Sequence, residues 1–350
     1  MKTILKLLGL LFLSATCVTG CKKDPTPPVS SIEVNVAHRQ FLDSLIIYDK
    51  HKSWEIKSVI RFKASNRVVD TMTITETKYY QIYSFIDGKQ GELGELVLAP
   101  NSDIHLSIDE NNLFETVDYS GQFKASNNFL AFFKNHQNQL SELVRKGVDQ
   151  SDLDIKIHEK GILINEKGIA LNVPDSLRTY VSTGFDAFSD ILKQKNMKYQ
   201  YKASLIGQTG NNFTFKDINN KLISLEDLEN KYVYIDVWAT WCKPCKVEYP
   251  YLKQLEAYFS NQDDIQIVSI STDRDFEKWA TYVTENAMEG MQLYSGSKSD
   301  FVEFYDIGAL PRFLFLDREG KIINPEELRP SDPELLKNIK STMNDNRLGK

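Results

Sequence analysis

Two cysteines stand two residues apart in Trp241-Cys242-Lys243-Pro244-Cys245. Such a pair can close a small disulfide ring and reopen it by thiol–disulfide exchange. The flanking text decides where the pair sits. Residues 231–238 (KYVYIDVW) form an apolar, β-branched and aromatic run of the kind that makes a buried strand. Residues 243–260 place Val247, Tyr251, Leu255 and Tyr258 at helical spacing. Cys242 therefore falls at a helix N-terminus, where unpaired N–H groups and the helix dipole favour a thiolate. Lys243 adds a cation beside it, and Pro244 is tolerated in the first helical turn. The expectation is that Cys242 is the more exposed cysteine and attacks a substrate disulfide, while Cys245, one turn inward, resolves the mixed disulfide.

Two acids accompany the cysteines. Asp236 lies among Val233, Ile235 and Val237, and burial there would raise its pKa until it can take a proton from Cys245. Read otherwise, it is an acid exposed at a sheet end. Glu248 follows Cys245 by one helical turn; it either tunes the thiols or is simply a solvated helix residue. Competing chemistries fare worse. A single C-x-x-C supplies two ligands where zinc wants four, so no metal is expected. All five histidines (His38, His51, His105, His136 and His158) precede the cysteine pair by a long way, which disfavours a cysteine–histidine hydrolase. His136 lies on the apolar stripe Phe129, Phe133, Leu140, Val144 and reads as a structural histidine. There is no repeat and no phosphate-binding glycine loop, so the only cofactor expected is the Cys242–Cys245 disulfide itself.

The elements that position these residues occupy the second half of a chain of 350 residues, long enough for about two domains. A hydrophobic content of 41% with 26% charged residues is that of a soluble globular protein, and a net charge of −6 with no basic stripe excludes nucleic acid as a partner. Of four cysteines, Cys17 and Cys21 lie in an N-terminal export segment, leaving one pair for the folded part. One pair is chemistry rather than a disulfide scaffold. Residues 1–20 carry Lys2 and Lys6 ahead of a short apolar core, too short to span a membrane. Residues 21–31 (CKKDPTPPVSS) read as an exposed tether. Residues 32–119 are β-rich, with strands expected at 54–62, 68–75, 79–86, 92–99 and 104–108 separated by Gly and Asn/Asp clusters, in a small antiparallel sandwich or barrel. Tyr79, Tyr83 and Phe85 there are either a binding platform or, more commonly, core. Residues 120–203 are a helical region, in which 159–173 shows no periodic stripe. Residues 204–350 alternate strands and helices as an α/β domain.

The segment YIDVWATWCKPCKVEYPYL resembles the active-site segment of thioredoxin-like proteins, in particular the TlpA/ResA group of membrane-anchored thiol–disulfide oxidoreductases. The resemblance covers residues 204–350. It implies a thioredoxin-like fold in which Asp236 moves protons for the inner cysteine, Pro250 kinks the active-site helix and Glu248 is the glutamate of an E-x-P motif. Gly308-Ala309-Leu310-Pro311, followed by an apolar run and Asp317-Arg318-Glu319-Gly320, resembles the family's cis-proline loop, strand and turn. It implies that Leu310 and Pro311 present backbone to a substrate peptide, with Trp241 packed over the active site. Val18-Thr19-Gly20-Cys21 resembles a bacterial lipoprotein signal, which implies a lipid on Cys21, and Lys22 in place of Asp after it favours the outer membrane. The expected partners are protein thiols and disulfides of the cell envelope and a membrane thiol reductant. The expected activity is protein thiol–disulfide exchange, in the reducing direction. The alternatives are a surface-binding lipoprotein whose redox pair is vestigial or regulatory, and a thiol peroxidase, for which the proline–threonine–cysteine pattern is missing.

Overall fold

A computed structural model describes residues 27–347. The expected export segment with Cys17, the expected lipid site Cys21 and most of the expected tether lie outside the described residues. The described residues divide into two compact units: those up to Asn138 with Lys160–Gly184, and Gln139–Glu159 with those from Phe185 onward.

The first unit is built on eight strands: β1 (Val29–Ala37), β2 (Leu42–Asp49), β3 (Glu55–Arg61), β4 (Arg67–Thr73), β5 (Lys78–Ile86), β6 (Lys89–Leu98), β7 (Asp103–Asp109) and β8 (Asp118–Gly121). They form two four-stranded sheets, ordered β4-β1-β7-β8 and β3-β2-β5-β6. Alternating residues of both sheets (Ile32, Val34, Leu45, Ile47, Ile82, Leu106) meet in one core. β1 begins at Val29, so residues 29–31, expected in the tether, are strand. Ser30 is fully buried and its hydroxyl donates to the Ala99 carbonyl at 2.8 Å. Tyr79 is not an open platform, because it stacks on Tyr180 with ring centroids 4.6 Å apart.

Three helices follow: α1 (Lys124–Arg145), α2 (Gln150–Ala170) and α3 (Asp175–Leu205). The division between the units falls within them, so the region 120–203 is not a unit of its own. His136 is buried edge-on to Phe132, 4.3 Å between centroids, in keeping with a structural histidine. α2 covers most of the stretch without periodicity. Leu153, Ile157 and Ile164 are buried on it, yet Ile155, Ile162, Leu163 and Ile169 are exposed, so its apolar residues run round every face.

The second unit holds a seven-stranded sheet ordered β10-β9-β13-β12-β11-β14-β15. In chain order its elements are β9 (Thr214–Asp217), β10 (Leu222–Ser224), β11 (Tyr232–Trp238), α4 (Lys243–Phe259), β12 (Ile265–Ser271), α5 (Phe276–Glu285), β13 (Met291–Tyr294), α6 (Asp300–Phe304), β14 (Arg312–Leu316), β15 (Ile322–Asn324) and α7 (Leu335–Arg347). β11 is central, parallel to β12 and antiparallel to β14. All seven of its residues are buried, as its composition demands. Val233, Ile235 and Val237 enter one core with Val268, Ile270 and Leu314. Tyr232 and Tyr234 point the other way, toward Leu252, Leu255 and Phe259 of α4 and Ile339 of α7. The β9–β10 turn carries Asn220 at φ 65°, a left-handed position that asparagine tolerates.

Candidate active site

β11 delivers the chain to the site and α4 receives it. Cys242 is the N-cap of α4, in extended conformation (φ −78°, ψ 98°), and its sulfur accepts the Cys245 N–H at 3.1 Å. A helix that begins on a cysteine aims its unpaired N–H groups at that sulfur. Pro244 fits the first turn, where no N–H is needed. Cys242 and Cys245 form a disulfide with Cα atoms 5.3 Å apart. Neither cysteine is the exposed one. Cys242 is 4% and Cys245 6% exposed, because both pack with Trp238, Ala239, Trp279 and Val283, against which Leu310 also rests.

What separates the two cysteines is their surroundings. Cys245 lines a cavity of about 230 Å³ together with Asp236, Trp238, Lys246, Tyr249, Tyr282, Asn286 and Met288. A larger cleft, about 590 Å³, opens on the other flank and is lined by Thr240, Trp241, Asp273, Arg274, Lys278, Ala309 and Leu310 among others. The Leu310–Pro311 peptide bond is cis, as the loop's resemblance implied. Trp241 does not pack over the site: it is 67% exposed and stands at the edge of the cleft.

Asp236 is buried on the α4 side of the sheet, the opposite face from its valine neighbours. Burial pushes its carboxyl up to about 7; the charges of Glu256 and Glu248 act in the same sense, and the Ser269 hydroxyl, 3.5 Å from Oδ2, opposes them. An acid that titrates near neutrality beside Cys245 can exchange protons with it. Glu248 is neither solvated nor directed at the thiols. Its carboxylate accepts the Ser331 N–H and the Ser331 hydroxyl, both at 3.0 Å, with Arg329 Nη1 at 3.4 Å, so it ties α4 to residues 329–331. Five-per-cent exposure makes that tie structural, with an electrostatic effect on Asp236 at one remove.

Three features escaped the sequence. Lys246 sets its ammonium 4.7 Å from the Tyr282 ring at the Asp236–Cys245 cavity. Glu256, partly buried and repelled by Glu289, is raised to about 7. The buried Asp273, beyond the end of β12, holds the turn before Cys242: its Oδ2 accepts the Thr240 N–H at 2.9 Å and its Oδ1 the Thr240 hydroxyl at 2.8 Å. Of these, only the last carried a signal, a polar Ser-Thr-Asp run closing an apolar strand.

A disulfide at the junction of a central strand and a helix N-terminus, a buried acid behind it and a cis-proline loop beside it define a thioredoxin-like thiol–disulfide oxidoreductase. Sequence comparisons with known proteins agree. A model of the AhpC/TSA family matches residues 206–324. The thiol-disulfide oxidoreductase ResA of Oceanobacillus iheyensis is 30% identical over 131 residues, 36% of this chain and 67% of that protein. ResA of Bacillus thuringiensis is 29% identical over 119 residues, 34% of this chain and 67% of that protein. Among solved structures, the thioredoxin domain of a thiol-disulfide oxidoreductase from Bacteroides vulgatus is 29% identical and covers 39% of this chain and 96% of its own, with a TM-score of 0.36. Through this part of its second unit, the chain belongs to the ResA-type thiol–disulfide oxidoreductases.

Proposed function

We propose that this protein reduces protein disulfides in the bacterial cell envelope, tethered to a membrane by a lipid on Cys21. The observation that carries the reading is the Cys242–Cys245 disulfide at the start of α4, with Cys245 and Asp236 on one cavity. In the reduced enzyme the Cys242 thiolate attacks one sulfur of a substrate disulfide. The substrate S–S bond breaks, its electron pair leaves on the other sulfur, and a Cys242–substrate disulfide remains. Cys245 then loses its proton to Asp236 and attacks the Cys242 sulfur, releasing the second substrate thiolate and closing the Cys242–Cys245 ring. Two electrons pass to the substrate, and a dithiol donor must return them; a membrane thiol reductant fits that need. The cleft beside Trp241 and the Leu310–Pro311 loop is where the substrate chain would lie.

Asp236 serves the exchange in both directions, taking the Cys245 proton as the ring closes and returning it as the ring opens; the reducing direction follows the resemblance of the cysteine segment to the TlpA/ResA group. The envelope location and the anchor are supported by the sequence, through the apolar leader ending in Val18-Thr19-Gly20-Cys21, and Lys22 argues for the outer membrane.

Turnover of insulin disulfides with dithiothreitol as donor tests the activity, and no turnover would leave a binding protein with a vestigial pair. Cys245→Ser should trap substrates as mixed disulfides, and Cys242→Ser should not; equal trapping by both would reverse the roles. Equilibration with glutathione buffers tests direction. A potential near thioredoxin's, about −270 mV, supports a reductant, and one near about −120 mV overturns it. Mass spectrometry of the mature N-terminus tests the anchor: an unmodified terminus beyond residue 21 removes it.

A further inference from the structure

Asp273 is 5% exposed, and a carboxylate so buried must spend its oxygens on hydrogen bonds. It spends them on the turn that leads into Cys242. Oδ2 accepts from the Thr240 N–H at 2.9 Å and from the Ser271 hydroxyl at 2.8 Å, and Oδ1 accepts from the Thr240 hydroxyl at 2.8 Å. The Ser271 bond is local, but the two to Thr240 reach back 33 residues. The neighbouring contacts fasten the same two strand ends: the Thr272 N–H donates to the Trp238 carbonyl at 2.9 Å, and the Cys242 N–H closes the turn onto the Ala239 carbonyl at 3.0 Å. Between Trp238 and Cys242, Thr240 is thus held through both its backbone and its side chain. Trp241, next in line, stands free at the cleft.

We infer that Asp273 is a positioning residue for disulfide exchange: its clamp on Thr240 fixes the Ala239–Cys242 turn, and so sets the Cys242 sulfur on the N-terminal N–H groups of α4. The inference rests on the oxidoreductase reading above and assigns it a residue outside the cysteine motif. The reason is geometric. The Cys242 sulfur is steadied by the Cys245 N–H only while Cys242 keeps its extended N-cap conformation. That conformation is delivered by a turn with a single internal backbone bond of its own. Reaction at sulfur needs in-line approach, and small displacements of a reacting atom are costly in rate.

Position and charge can be told apart by substitution. In Asp273→Asn, the amide oxygen placed at Oδ2 keeps the Thr240 N–H and Ser271 bonds, while the amide nitrogen at Oδ1 donates to the Thr240 hydroxyl, which can turn to accept. The clamp survives without its charge. Asp273→Ala removes it. Thr240→Val deletes one bond and Thr240→Ser none.

The test uses the full-length protein, reduced, with iodoacetamide alkylation of Cys242 followed from pH 4 to 10, alongside kcat/KM for insulin reduction. Asp273→Ala should move the alkylation midpoint upward by about one unit, toward the ordinary cysteine value of about 8.5, and lower kcat/KM by roughly 10- to 100-fold. Asp273→Asn should recover kcat/KM to within about threefold with a near-native midpoint, Thr240→Val should give a midpoint between those of Asp273→Ala and the parent, and Thr240→Ser, which keeps both bonds, should keep the parent midpoint. An unchanged midpoint and kcat/KM in Asp273→Ala overturns the inference, as does an Asn variant as impaired as Ala, which would make charge the active quantity. If Asp273→Ala fails to fold, the Thr240→Val and Thr240→Ser pair decides, and identical midpoints in the two overturn it. Alkylation needs no disulfide substrate, so the clamp is tested even if the parent reduces no protein disulfide and the functional reading fails.

Discussion

Asp236 and Cys245 line one cavity, although one belongs to the central strand and the other to the first turn of α4. The larger cleft, where a substrate would lie, is lined by neither of them. In the proposed mechanism, proton transfer from Cys245 is therefore separated from substrate binding. Asp236→Asn keeps the shape of the side chain but cannot take the proton. Stopped-flow kinetics should show mixed-disulfide formation near the native rate and its resolution slowed by up to about 100-fold. Equal slowing of both steps would assign Asp236 a packing role instead.

The same carboxyl makes stability depend on pH. Its folded pKa, about 7, lies above the unfolded value of about 3.9, so the native state binds the extra proton between them. Stability conferred by the protonated form is complete below pH 4 and is lost as pH rises to 7. Asp236→Asn removes this dependence. The variant should equal the parent near pH 4 and exceed it by a few kcal/mol, at most about 4, above pH 7. Urea unfolding of both proteins at pH 4, 6 and 8 checks this; a difference that shrinks with rising pH would contradict it. Glu256, also raised to about 7, gives the parent a residual slope of the same sign that the variant keeps.

Much of this site is legible in the sequence because its signals are local. The apolar run before Trp241 and the helical spacing after it place the cysteines at a strand–helix junction without knowledge of any partner. Burial of Asp236 also follows from its neighbours, although Val233, Ile235 and Val237 face the opposite core and the acid shares its own side with Tyr234 and Trp238. What the sequence hides is long-range. Nothing near Thr240 announces Asp273, and nothing near Glu248 announces Ser331, 83 residues on. Cysteine exposure is likewise set by Trp279 and Leu310 from distant elements. In the first unit, β2 has Leu45, Ile46 and Ile47 in succession and so no alternation to read. β1 does alternate, but it begins inside a proline-bearing stretch that reads as tether.

Glu248 separates a structural role from a chemical one. Its carboxylate is buried and satisfied by Ser331 and Arg329. Glu248→Ala leaves the Ser331 N–H without its acceptor and should cost about 1–3 kcal/mol in chemical denaturation. Its charge acts on Asp236, and the expectation is that the thiols feel it only by that route. The alkylation profile of Cys242 should stay within about 0.3 units of the parent, well inside the spread that single neighbours produce. A large shift in that profile with little loss of stability would restore Glu248 as a direct modulator of the cysteines.

Trp241 offers the opposite case, a large aromatic that the fold does not use. It is two-thirds exposed at the rim of the cleft, next to Cys242, while Leu310 and Ala309 line the cleft with it. Trimming an exposed side chain with no hydrogen-bond or ring partner among the described residues should change stability by no more than about 0.5 kcal/mol. Its expected contribution is to binding, where an exposed tryptophan supplies a broad apolar surface that a peptide can cover. Trp241→Ala should therefore raise KM for insulin by about 5- to 20-fold, corresponding to roughly 1–2 kcal/mol of lost contact, with kcat nearly unchanged. A small aromatic disulfide such as 5,5′-dithiobis(2-nitrobenzoate), which spans little of the cleft, should be reduced at close to the parent rate. Loss of rate toward both substrates in proportion would mean that the ring orders the Cys242 turn, and Trp241 would then belong with Thr240 and Asp273 rather than with the substrate.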